Sequence, residues 1–207
     1  GIDMKKIKIA VLCSGGGTNF QAILNAQEAG LIPHGEVGLL VSDSATAYAL
    51  ERAKRNGVKT AVADKKILTD RKAREKEILR LLGDYGAQLI VLAGFMTVLS
   101  EDFVKKYENA IINVHPALIP SFCGEGMYGL HVHEAVLARG VKVTGATVHY
   151  VTEVCDGGPI IAQKAVAVKE GDTPEILQKR VMREAEWVIL PEAVEQVCKK
   201  LSEETNE

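Results

Sequence analysis

I-K-I-A-V-L-C-S-G-G-G-T-N, residues 7–19, places a strand, a turn and a helix start in immediate succession. Residues 7–12 alternate into the apolar run that a buried strand needs, and a helical pattern through Ala22, Ile23 and Ala26 follows the glycines. A strand feeding a helix through a tight turn is the opening unit of a parallel α/β sheet. The unpaired backbone N–H groups of the helix start and its dipole both face the loop, so phosphate is the natural guest. The same glycines would also serve a plain tight connection. In G-x-G-x-x-G register Gly15 and Gly17 fit but Phe20 holds the third position, and no Gly-Lys-Ser/Thr follows, so neither dinucleotide fingerprint nor Walker loop is present. Gly17, Thr18 and Asn19 are the candidate anion ligands, with Asn19 equally suited to an N-cap.

Outward from this unit the alternation repeats. Strands are expected at 36–41, 59–63 and 88–93, with helices at 45–56, closed by Gly57, and at 67–82, ending near Gly83. The fold class is therefore α/β, a three-layer doubly wound and mostly parallel sheet, with ligands expected at the carboxyl ends of its strands. Period-two alternation at 142–151 and a strand at 160–168, joined by a turn containing Gly157 and Gly158, form an antiparallel C-terminal extension. A helix starts at Asp172 or Thr173 with Pro174 in its first turn and runs toward Pro191, and a second helical stretch continues to Leu201.

By that rule three segments open on one edge: the glycine loop, residues 94–99 after the fourth strand, and Asn113-Val114-His115 after the fifth. Ile111 and Ile112 form the buried end of that fifth strand, Asn113 and His115 project on one face, and Pro116 ends the ladder for want of an N–H. An Asn amide can donate to a developing oxyanion while a neighbouring imidazole carries a proton, the needs of acyl transfer. A hydrogen-bonded loop Asn and a surface His are the bland reading of the same residues. Asp156, before two glycines, is either a self-capping turn residue or a carboxylate facing His115 that would orient the ring and raise its pKa. Arg71 stands among Lys72, Arg74 and Lys76, a cluster that reads first as a solvated helix face. His131 and His133, two apart on a helix, point to different sides and lack a third ligand at suitable spacing, so no metal site is expected.

The 207 residues, 47% hydrophobic and 25% charged with a formal net charge of -2, describe one ordinary globular domain without a nucleic-acid or anionic-membrane surface. Cys13, Cys123, Cys155 and Cys198 show no C-x-x-C spacing, which suits reduced thiols in a cytoplasm. Gly1 to Asp3 read as the remnant of an expression tag, leaving a domain over 4–207, and the apolar run from Ile7 is too short for a signal or membrane segment.

Residues 14–19 (SGGGTN), 92–96 (LAGFM), 112–116 (INVHP), 145–149 (GATVH) and 156–159 (DGGP) together resemble phosphoribosylglycinamide formyltransferase, the folate-dependent enzyme family of purine biosynthesis, in family order over nearly the whole chain. The resemblance implies transfer of a formyl group from 10-formyltetrahydrofolate, as co-substrate, to the amine of phosphoribosylglycinamide, without a metal, in a cytoplasmic monomer or homodimer. It implies Asn113, His115 and Asp156 as the catalytic trio. It further implies Gly17, Thr18, Asn19, Pro116 and Glu186 as substrate ligands, Glu186 toward ribose hydroxyls. For the folate it implies Arg71 near the acidic tail, the backbone of Met96, Thr97, Val98 and Leu99 along the pterin, and Asn113. The chain departs from the family at Thr97, where Arg is common, and in a loop at 123–128 longer than in the shortest members. Among rivals, a formyltetrahydrofolate hydrolase tends to have a second His where Pro116 stands, and a transfer-RNA formyltransferase needs a further domain and more positive charge. A non-catalytic sensor would be expected to lose a member of the trio.

Overall fold

The computed structural model describes residues 5–205, so the tag remnant expected at Gly1 to Asp3 lies outside the described residues. Strand and helix alternate through β1 (Ile7–Cys13), α1 (Thr18–Glu28), β2 (Gly35–Ser42), α2 (Tyr48–Arg55), β3 (Lys59–Val62), α3 (Arg71–Tyr85), β4 (Leu89–Leu92), α4 (Glu101–Lys106) and β5 (Ile111–His115). There follow α5 (Leu130–Arg139), β6 (Val143–Tyr150), β7 (Ile160–Ala167), α6 (Pro174–Val181), a π-helical turn (Met182–Glu186) and α7 (Trp187–Thr205). None of these helices is long and apolar enough to cross a membrane.

The strands form one seven-stranded sheet in the order β3-β2-β1-β4-β5-β6-β7. It is parallel from β3 through β5, and β6 and β7 pair antiparallel, as the doubly wound reading with an extension requires. Both faces of the central strands are buried, so β1 feeds two cores. Ile9 and Val11 pack with Phe20 and Ile23 of α1 and Leu190 and Val194 of α7, while Ala10 and Leu12 pack with Ile78 and Leu82 of α3 and Phe103 of α4. The chain winds outward from β1 to β3 and returns at β4, so the loops after β1 and β4 part at a topological switch point, where doubly wound sheets bind ligands. Ser14 N donates to Gly94 O at 3.0 Å and Met96 N to Ser14 Oγ at 2.8 Å, stitching the two loops together.

Several boundaries differ from the sequence reading for local reasons. Residues 64–68 form a turn around Asp64, whose Oδ1 accepts from Lys66 N at 2.9 Å and whose carbonyl accepts from Leu68 N at 2.7 Å, so α3 starts at Arg71 rather than at 67. Gly83 lies inside α3, and Gly86, in the left-handed region at φ 80°, is the residue that ends it. Helix α2 starts at Tyr48 because Ala47 is still extended. Pro191 does not divide the C-terminal helices but sits within α7. Having no N–H for the preceding turn, it follows the place where the ladder widens into the π turn at Met182–Glu186.

Candidate active site

The carboxyl end of β5 lies against β6 with Asn113 opposite His149 and His115 opposite Thr147. The buried His115 donates from Nε2 to the Phe122 carbonyl at 2.8 Å, because a carbonyl can only accept. This leaves Nδ1 facing Asp156 Oδ2 at 3.8 Å. Of the two readings open for Asp156, the fold realises the one that faces His115. Its backbone is also a turn, in the left-handed region at φ 52°.

The other oxygen of Asp156, Oδ1, lies 3.6 Å from Nε2 of the buried His149. That ring donates from Nδ1 to the Tyr150 carbonyl at 2.9 Å and lies 3.3 Å from Asn113 Nδ2. Burial pushes the Asp156 carboxyl up, but the His149 ring, the Gly124 amide at 3.0 Å and the His115 ring together hold it below its ordinary value. A carboxylate, two imidazoles and an amide thus converge at one strand end, equipped to hold a charged ring and offer donors to an oxyanion.

At the switch point Gly17 precedes α1 at φ 76°, with its Cα so close to α2 that a Cβ would stand 2.7 Å from that of Ala49. The N–H groups of the first turn of α1 open onto the loop, and Arg52 of α2 donates from Nε to Gly16 O at 2.7 Å. Asn19 neither caps the helix nor points freely at the loop: its Nδ2 donates to Glu186 Oε1 at 3.1 Å. Glu186 closes the π turn and is buried, which raises its carboxyl to about 7 against the opposing pull of Asn19. Among the described residues Asn19 Oδ1 and Glu186 Oε2 are both buried acceptors without a partner, a pair suited to a ligand that brings hydroxyl donors.

Across the crevice the side chains of Met96 and Val98 are exposed while Thr97 is buried beneath them. Arg71 opens α3 with an exposed guanidinium 3.8 Å from Glu75, whose carboxylate also accepts from the Ser100 amide at 2.8 Å. Pro116 follows the last residue of β5. His131 lies on the surface beside Glu134, and His133 points into the core, so the two share no side of α5. Neither ring nitrogen of His133 has a partner among the described residues, and burial, then the nearby His115, hold it near 4, hence neutral at pH 7.

Of the residues that meet here, the sequence singles out Asn113, His115 and Asp156 and gives no role to His149, Gly124 or the Phe122 carbonyl. The signal for His149 was its place near the end of an alternating strand; its register against Asn113 is a matter of pairing. Nothing local marks Gly124 or Phe122.

A doubly wound sheet with a glycine loop at its switch point, and Asn113, His115 and Asp156 gathered at the adjacent strand end, places amide and imidazole donors beside the crevice where such sheets bind ligands. The family model described as formyl transferase matches residues 7–194, and the chain belongs to that family. It is 44% identical over 95% of its length to the trifunctional purine biosynthetic protein adenosine-3 of Gallus gallus, of which it spans 19%. It is 37% identical over 89% of its length to phosphoribosylglycinamide formyltransferase of Escherichia coli, covering 84% of that protein. The structure of glycinamide ribonucleotide transformylase 1 from Symbiobacterium toebii superposes with a TM-score of 0.87 at 42% identity, over 94% of this chain and 89% of that one.

Proposed function

We propose that this chain transfers the formyl group of 10-formyltetrahydrofolate to the amine of phosphoribosylglycinamide, as a cytoplasmic enzyme of purine biosynthesis. The observation that carries the reading is the meeting of Asn113, His115 and Asp156 at the end of β5, beside the switch-point crevice. Attack of the amine on the formyl carbon gives a tetrahedral oxyanion. Asn113 Nδ2 and the Nδ1–H of a charged His115 donate to it, and Asp156 favours the charged ring and passes the amine proton toward the leaving folate nitrogen. The His115 Nε2–H stays bound to Phe122 O, which fixes the ring plane.

Gly17, Thr18 and Asn19 hold the substrate phosphate through backbone amides at the start of α1, and Pro116 lines the substrate side of β5. Glu186 accepts from the ribose hydroxyls, for which its unpartnered Oε2 is suited. The backbone of Met96, Thr97, Val98 and Leu99 with Asn113 meets the pterin, and the exposed Arg71 meets the acidic tail.

The test follows the absorbance of a 10-formyl folate with pure protein, with and without phosphoribosylglycinamide. Deformylation that requires the amine is expected. Deformylation by water alone would make the chain a hydrolase, and folate binding without turnover would make it a sensor.

A further inference from the structure

The segment after β4 is held from behind by residues that take no part in the chemistry above. Thr97 is 7% exposed, whereas Met96 and Val98 beside it are 50% and 69% exposed. The Thr97 hydroxyl donates to Asp43 Oδ2 at 2.6 Å and accepts from Arg74 Nε at 3.2 Å, using its one proton and a lone pair on opposite charges. Asp43 follows β2, is fully buried, and has no partner for its other oxygen among the described residues. Arg74, on α3, also donates from Nη1 to the Leu68 carbonyl at 2.6 Å. Thr97 thus closes a bridge from the end of β2, through the loop after β4, to α3.

The same segment has two other anchors. Ser14 Oγ takes the Met96 amide at 2.8 Å, and Glu75 takes the Ser100 amide at 2.8 Å. Between them the polar hold on the loop is the Thr97 hydroxyl. A buried carboxylate bound through one hydroxyl is costly, and apolar packing would stabilise such a site at least as well. What the bridge supplies that apolar packing would not is direction: Thr97 is turned inward while the side chains of Met96 and Val98 on either side of it are exposed.

We propose that Asp43 and Arg74, acting through Thr97, are positioning residues that set the conformation of residues 96–99 and thereby the affinity for the formyl folate. The proposal rests on the reading that this backbone meets the pterin.

Thr97→Val removes the hydroxyl at nearly constant shape. The expected result is a KM for the 10-formyl folate raised about tenfold, as for loss of about one ligand hydrogen bond. kcat and the KM for phosphoribosylglycinamide should change less than about twofold, since the β5 end and the glycine loop are anchored independently. Amide hydrogen exchange should quicken at residues 96–98 and not at 113–115, and Thr97→Ser should recover most of the folate KM. Arg74→Gln, which removes one end of the bridge, should move the same KM the same way by less, and it replaces Thr97→Val if that variant does not fold. An unchanged folate KM, or a uniform loss in kcat and both KM values that Thr97→Ser does not rescue, overturns the proposal. If the unsubstituted protein shows no amine-dependent turnover, the functional reading fails instead. Exchange then decides the positioning: quickening confined to 96–98 in Thr97→Val supports it, and unchanged exchange overturns it.

Discussion

Asp156 and Glu186 are both largely buried carboxyl groups, and their surroundings drive them apart. Around Asp156 the Gly124 amide and the rings of His115 and His149 stabilise the anion, and the carboxyl stays below its ordinary value. Around Glu186 the Asn19 amide is the one donor among the described residues, burial prevails, and the carboxyl rises to about 7. The difference follows from both depth and donors: Glu186 is the more deeply buried and faces one amide donor, whereas Asp156 is partly buried and faces two imidazoles and a backbone amide. An Asp156 held below its ordinary value favours a charged imidazole and is free to take up and release a proton in passing. A Glu186 balanced near neutrality can gain the donors it lacks from a ligand.

The largest effect should come from removing the first charge. Asp156→Asn retains a residue type that tolerates φ 52° and still accepts from Gly124, yet should lower kcat by ~10³ with little loss of melting temperature. A near-normal kcat would reduce Asp156 to a turn residue and dissolve the contrast. Asn113→Ala removes the amide donor without touching either carboxylate and should lower kcat by ~10²–10³; steady-state kinetics at saturating substrates decides it.

The two acids also predict opposite pH trends in stability. Asp156 is depressed in the folded state, so its contribution is complete above the ordinary carboxylate value of 3.8 and is lost as pH falls through the folded value. Glu186 is raised from 4.5 to about 7, so the native state binds the extra proton and stability declines as pH rises across that window. The decline amounts to about 3 kcal/mol. Glu186→Gln should abolish this slope in urea titrations at pH 5 and pH 7.5, and should raise the KM for phosphoribosylglycinamide; an unaltered slope would show that another group titrates.

The smallest effect tests the Asn19 donor indirectly. Gly17→Ala forces a Cβ into the left-handed region and toward Ala49, at a cost of about 2 kcal/mol in unfolding experiments. It should also displace the start of α1 and weaken phosphoribosylglycinamide binding more than folate binding, which separate KM values would show.

Much of this was legible before any coordinates. Each βα unit announces itself through a short apolar run, a turn and an amphipathic stretch, because a strand buried on both faces and a helix buried on one need different side-chain periods. Asn113 and His115 share a face because a strand alternates, and Pro116 marks the strand end because it cannot donate. The boundaries that misled were set by turns: Asp64 held residues 64–68 out of α3, and Gly86, not Gly83, took the left-handed cap. Pro191 misled as well, since a π turn accommodates it within a continuous helical region.

By itself, then, the sequence determined the doubly wound α/β class, the glycine loop at a helix start, and Asn113 and His115 as side chains on one face of a strand end, since each follows from periodicity or from chemistry carried by one side chain; it left Asp156 open between a turn and His115, and only the family resemblance marks Glu186. Only the tertiary structure decided that Asp156 meets His115 and His149, that Asn19 is spent on Glu186, and that Thr97 faces Asp43 and Arg74 rather than the crevice. Those facts depend on distances between segments far apart in the chain. Burial and partner count, which set the charge of Asp156 and Glu186, exist only once the strands have paired and the helices have closed over them.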